Sequence, residues 1–243
     1  MESCTNTFTV EDLIRHLEQL QARGPIPLDV KSGEILGILC TSGQGRRTLI
    51  NILMTMLFPV SGFAERSPLA ILGNLGDVRR SMGIVLQEPV LDPALTGREN
   101  LDFHARLHGL SDRARGRRIT EVIELSGLSG SADTAVEAYS PAMLRRLEIA
   151  RAFLSHPGVL FLAEPTKGLD DSSRREIWSL LRRMNHERRV TVVLTTHELD
   201  EAAAICNRVA VVDGGEVVAL DTPETFGSMM AIDEGLLKFD GTS

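Results

Sequence analysis

Long apolar runs are the first thing this 243-residue sequence lacks: its longest, such as GVLFLA and VTVVL, extend five or six residues. A membrane-spanning helix needs roughly 20, whereas runs this short suit buried strands. Aromatic residues make up 4% of the chain, too few for a surface that stacks the bases of single-stranded nucleic acid. The net charge of -7 gives no general attraction for a phosphate backbone, so nucleic acid is not an expected partner. Cys4, Cys40 and Cys206 are too few and too scattered for a disulfide framework. The opening MESCTNTFTVEDL has no basic stretch followed by an apolar one, as a secretory signal would. A reducing cytoplasm is the expected compartment. What is present is an ordinary globular composition, 43% apolar, enough to build a core, with no internal repeat and no low-complexity linker.

The chain opens its regular pattern at Gly33. GEILGILC, a glycine-bearing loop and RRTLINILMTML read as strand, turn and helix. Further on, PGVLFLAEP and RVTVVLTT are compact apolar strands separated by SSRREIWSLLRRMNHE, in which Ile177, Leu180, Leu181 and Met184 recur at helical spacing. Strand, helix and strand in this order predict a parallel sheet. From Asp92 to Ser155 the pattern is almost wholly helical, which predicts a helical subdomain inserted into an α/β core. VAVVDGGEVVAL, with Gly214 and Gly215 at its turn, predicts a hairpin. The expected organisation is a single domain over 1–243, with core segments at about 26–91 and 156–226, the helical subdomain at about 92–155 and a tail at 227–243.

The loop after GEILGILC can be set against the phosphate-binding frame G-x-x-x-x-G-K-[ST], in which backbone amides wrap the phosphates, Lys reaches the outer phosphates and a hydroxyl binds Mg. Here the frame reads CTSGQGRR: Gly43, Gln44 and Gly45 sit between strand and helix, but Cys40 replaces the first Gly, Arg46 the Lys and Arg47 the hydroxyl residue. Thr48 offers a hydroxyl one position late. Taken alone, this segment reads equally well as an ordinary glycine-bearing turn.

QEP, AYSPAMLRRLEIARAFLSHPGVLFLAEPTKGLD and LTTHELDEA follow in order and spacing. They resemble the Q-loop, signature, second Walker and switch-histidine segments of ABC ATPases. The resemblance runs from about Ile26 to Phe226. TGRENL, YSxxMLRRLEIARA and LTTHELDEA are similar to the daunorubicin-resistance type of drug or lipid exporter ATPase. It implies an α/β P-loop core with an antiparallel edge and an inserted helical subdomain. It also implies ATP as ligand, a second ABC subunit in a homo- or heterodimer, a membrane-spanning transporter subunit as partner, and a peripheral place on the inner face of the cell membrane. Gln87 to Leu95 is then the expected contact strip for that membrane subunit.

Carried over by position, Glu164 is the general base, His197 the switch histidine, Gln87 the Q-loop glutamine and Asp170 the D-loop acid. Gly43, Gln44, Gly45, Arg46, Arg47, Thr48 and Ser140 are the nucleotide-binding set. No residue is assigned to a metal, although Gln87 could serve one, because Ala163 stands where the family has the Mg-binding acid and Arg47 where it has the hydroxyl. Two readings of these paired losses stand side by side. In one, the Arg47 guanidinium takes the metal's place and permits Mg-free nucleotide binding. In the other, Cys40, Arg46 and Arg47 fill an empty site, and the chain is a non-hydrolytic partner of a transporter. Ser140 and Pro141 also alter the signature: proline has no N–H to offer a phosphate, yet Ser-Pro makes a sound helix start. The family's stacking aromatic falls near Leu17 in a stretch that reads as helix, and FAERSPLAILGNLGD predicts a remodelled or short antiparallel edge.

Overall fold

The structure is a computed structural model in which residues 28, 30–40, 65, 66, 69, 70, 82–213 and 216–228 are described. In chain order the elements are β1 (Ile35–Cys40), β2 (Glu65–Arg66), β3 (Leu69–Ala70), β4 (Met82–Val85), α1 (Gly97–Leu107), α2 (Asp112–Ser126), a 3-10 turn (Val136–Ala138) and α3 (Pro141–Phe153). They continue as β5 (Val159–Ala163), α4 (Asp171–Arg188), β6 (Thr191–Thr196), α5 (Leu199–Ile205), β7 (Arg208–Asp213) and β8 (Glu216–Asp221).

Six strands form one sheet in the order β4-β5-β6-β1-β7-β8. The pairings β4 with β5, β5 with β6, β6 with β1 and β1 with β7 are parallel, and β8 closes the edge antiparallel to β7. Every residue of β6 is buried, which is why TVVLTT reads as an unbroken run without the alternation of a half-exposed strand. Side chains still divide between the faces. Leu160, Leu162, Val192 and Leu194 join one core cluster, while Phe161, Val193 and Ile38 join another. The first cluster also takes in Leu101 of α1, Val122 of α2, Leu147 of α3, Leu181 of α4 and Ile205 of α5, so these five helices pack on that face.

The parallel sheet, the β7–β8 hairpin and the helices expected between Asp92 and Ser155 are all found. The segment between α2 and α3 is the least helical part of that stretch. Gly127 turns left-handed with φ 70° and ends α2, and beyond it only the Val136–Ala138 turn is helical before α3. The expected short antiparallel edge is a pair of two-residue strands, β2 and β3. The Leu17 stretch lies outside the described residues.

Parallel pairing has one consequence for function: the carboxyl ends of β1, β4, β5 and β6 meet along one edge of the sheet, where α/β folds gather their ligand-binding loops. Leu39 pairs with Thr196 and Ala163 with Thr195. β1 therefore ends beside the loops that begin at Glu164 and His197.

Candidate functional site

Glu164 is the first residue beyond β5. Its N–H donates to the Thr195 carbonyl at 3.0 Å, prolonging the sheet by one bond. Its backbone then turns left-handed, with φ 52°, a conformation that costs a non-glycine residue on the order of 1–3 kcal/mol and clusters at functional sites. The side chain is 3% exposed. Its Oε2 lies 2.7 Å from Nδ1 of His197. His197, just past β6, keeps 46% of its side chain exposed, and its Nε2 is 3.4 Å from Glu198 Oε1. A carboxylate oriented by an imidazole at a strand end can hold a water and take its proton, and the open imidazole face can meet a charged oxygen.

Gln87, just beyond β4, has an exposed side chain and a tightly held backbone. Arg145 of α3 donates to the carbonyls of Leu86 at 2.7 Å and Gln87 at 3.0 Å. Glu148, fully buried, accepts from the Val90 N–H at 2.7 Å. Arg151 joins Glu148 Oε2 at 2.8 Å and donates to the Ile84 carbonyl at 3.0 Å. Positions 145, 148 and 151 share a helix face, so one stripe of α3 grips the strand end and both sides of the Gln87 loop. Burial pulls the Arg145 pKa below its ordinary value, with Glu148 and Glu201 opposing. Sequence reasoning passed over this clasp. Its signal was three charged residues on one face of a helix otherwise rich in apolar side chains.

Asp170 and Ser140 are helix caps in this structure. Asp170 accepts from the Ser172 and Ser173 N–H groups, both at 3.0 Å, and from Ser173 Oγ at 2.7 Å, at the start of α4. The Ser173 backbone bond is the foremost cause that lowers its pKa. Ser140 accepts from the Met143 N–H at 3.3 Å, with Pro141 in the first turn of α3. The geometry thus brings Glu164 and His197 into contact and ties the Gln87 backbone to the helix that Ser140 starts. Gly43, Gln44, Gly45, Arg46, Arg47 and Thr48 lie outside the described residues. Ala163 ends β5 with a methyl group, so a bound Mg would draw no carboxylate from this position. Among the described residues no group of three or more His, Cys, Asp or Glu side chains could hold a metal ion.

Residues 24–167 match the protein family described as ABC transporter. The chain is 36% identical over 217 residues to the daunorubicin resistance ATP-binding protein DrrA3 of Streptomyces coeruleorubidus, covering 89% of this chain and 68% of that protein. It is 38% identical over 194 residues to the Nod factor export ATP-binding protein I of Neorhizobium galegae, covering 80% of this chain and 56% of that one. It therefore spans between about half and two thirds of the length of these relatives. Among solved structures it is similar to the dimeric ATP-binding cassette MJ0796 in a post-hydrolysis state bound to ADP and Pi. The TM-score is 0.70 at 28% identity, covering 81% of this chain and 88% of that chain.

Proposed function

This chain belongs to the ABC transporter family, and from that premise we propose that it is the nucleotide-binding subunit of a transporter, coupling ATP binding and hydrolysis to export by a separate membrane subunit. The observation that carries the reading is the contact of buried Glu164 with His197 at 2.7 Å, at the sheet edge where β1 ends. Glu164 orients a water and takes its proton, and His197 holds Glu164 and faces the terminal phosphate. Gln87 meets the phosphate side of the site from a loop anchored by α3. Gly43, Gln44, Gly45, Arg46, Arg47 and Thr48 hold the phosphates of this chain's own nucleotide. Ser140 and Asp170 face a second ABC subunit, as the dimer of the MJ0796 cassette supports. Because Ala163 offers a metal nothing, fixed charge from Arg47 stands in for part of the metal's role.

The same reading divides the chain into a core at 26–91 and 156–226, a helical subdomain at 92–155 and a tail at 227–243. It places the chain on the inner face of the cell membrane, held there by its partner. No helix among the described residues is long and apolar enough to cross a bilayer. The strip from Gln87 to Leu95 is the docking site for the membrane subunit. Val90 is 48% exposed there, and on α1 Phe103 and Leu107, one turn apart, are 55% and 69% exposed.

The test is an ATP-binding titration with and without Mg, followed by ATPase measurement of the chain together with its membrane partner. Binding without Mg, and turnover that Glu164→Gln removes, are expected. Binding only with Mg would overturn the arginine-for-metal role. Turnover no greater than that of the Glu164→Gln variant would leave the non-hydrolytic partner as the reading. Bulky substitution at Pro93 or Leu95 is expected to weaken assembly with the membrane subunit; unchanged assembly would remove that strip from the interface.

A further inference from the structure

Beneath Glu164 and His197 lies a buried carboxylate that the hydrolytic chemistry leaves unused. Glu201, on α5, is 1% exposed. Its Oε1 accepts two hydrogen bonds, from Thr166 Oγ1 at 2.7 Å and from the indole Nε1 of Trp178 at 3.0 Å. Thr166 lies two residues beyond Glu164 in a tight turn, where the Lys167 N–H donates to the Glu164 carbonyl at 3.3 Å. Trp178 stands on α4, the helix that Asp170 caps. Glu201 itself stands on the helix that follows His197. One oxygen thus joins three segments, each leading away from a candidate catalytic residue.

A second, looser path runs between the same ends. His197 Nε2 lies 3.4 Å from Glu198 Oε1, Glu198 Oε2 lies 3.4 Å from Arg174 Nη2, and the Arg174 guanidinium stands 5.6 Å from the centre of the Trp178 ring. Glu198 is 43% exposed, so water screens this path and the buried one dominates. A carboxylate as deep as Glu201 persists only where its charge and lone pairs are met. Thr166 and Trp178 supply the donors, and Arg145 supplies positive charge within range. Shifting the Thr166 turn without moving α4 would leave a buried polar group unpaired, so the junction resists separate motion of its parts.

We propose that Glu201 is a positioning residue: through Thr166 and Trp178 it makes the turn after Glu164, the first half of α4 and the helix after His197 move as one body, so that ATP at Glu164 and His197 is registered at Trp178. The inference rests on the reading of Glu164 and His197 as the groups that face the terminal phosphate. Trp178 is the single tryptophan of the chain, so tryptophan fluorescence, excited selectively over Tyr139, reports this junction alone, and ADP, lacking that phosphate, leaves its emission unchanged.

The experiment measures ATP and ADP binding to the full chain by equilibrium dialysis, with and without Mg, alongside tryptophan emission. ATP shifts the emission of the wild type and ADP does not. Thr166→Val, which removes only the hydroxyl, still binds ATP but loses the shift, and Thr166→Ser restores it. A Thr166→Val protein that binds ATP and shifts like wild type overturns the proposal, as do equal responses to ATP and ADP. If Thr166→Val does not fold, hydrogen exchange on the wild type decides. ATP must change protection at 165–169, 174–178 and 199–205 together, and a change confined to 165–169 overturns the coupling. Absence of ATP binding under both conditions sinks the nucleotide reading and this inference with it; ATP binding without the shift sinks the inference alone.

Discussion

Glu148 shows how little a residue's type says about its place. It reads as one more surface charge on a helix, yet it is fully buried, bonded to the Val90 N–H and paired with Arg151. Removing one partner of a buried pair leaves the other charge uncompensated. Glu148→Ala is therefore expected to destabilise the chain by about 3–5 kcal/mol, read as a fall in the urea midpoint at unchanged m-value. A midpoint within experimental error of wild type would mean that Arg151 finds another partner. Gly83 is constrained from the opposite side. A Cβ there would lie 2.5 Å from the Ala152 carbonyl oxygen and 2.9 Å from Leu160 Cδ1. Because the first of these neighbours is backbone, Gly83→Ala is expected to push β4 from α3 at a cost of about 1–3 kcal/mol, measured by the same denaturation.

At the scale of elements, α3 has two tasks at its two ends. Ser140 and Pro141 start it, and Arg145, Glu148 and Arg151 fasten its inner face to β4 and the Gln87 loop. Ser140→Ala removes the cap and should cost about 1 kcal/mol, visible as a lower thermal midpoint, while the clasp farther along the helix keeps the Gln87 loop in place. If exchange at Val90 N–H rose as strongly as exchange at Met143 N–H, the two ends of the helix would not be separable. The start of α3 was legible from serine followed by proline. The clasp was not, because its partners are main-chain atoms some sixty residues upstream.

For the whole molecule, acid acts in two stages. Burial, followed by the nearby Arg151 cation, lowers the pKa values of His104 and His108. In the unfolded chain these groups take up protons near pH 6.5, before the folded chain does. Stability is therefore expected to fall as pH drops below about 6.5. Asp102 and Glu121 follow at lower pH: burial raises their pKa values, but arginine partners outweigh it and the net shift is downward. Their contribution is complete above the unfolded carboxylate range, near pH 4, and is lost as pH falls through and below it. Urea midpoints at intervals from pH 8 down to about pH 2 check both stages, and a flat profile between pH 7 and pH 5 would contradict the histidine stage. By itself the sequence determined the strands and helices found among the described residues and the order of the motifs, because periodicity, caps and glycine turns are local properties of the chain. Only the tertiary structure decided that Glu164 and His197 touch and that Glu148 and Glu201 are buried. Each depends on which main-chain atoms and side chains the parallel sheet brings together from distant parts of the chain, and no local pattern encodes that.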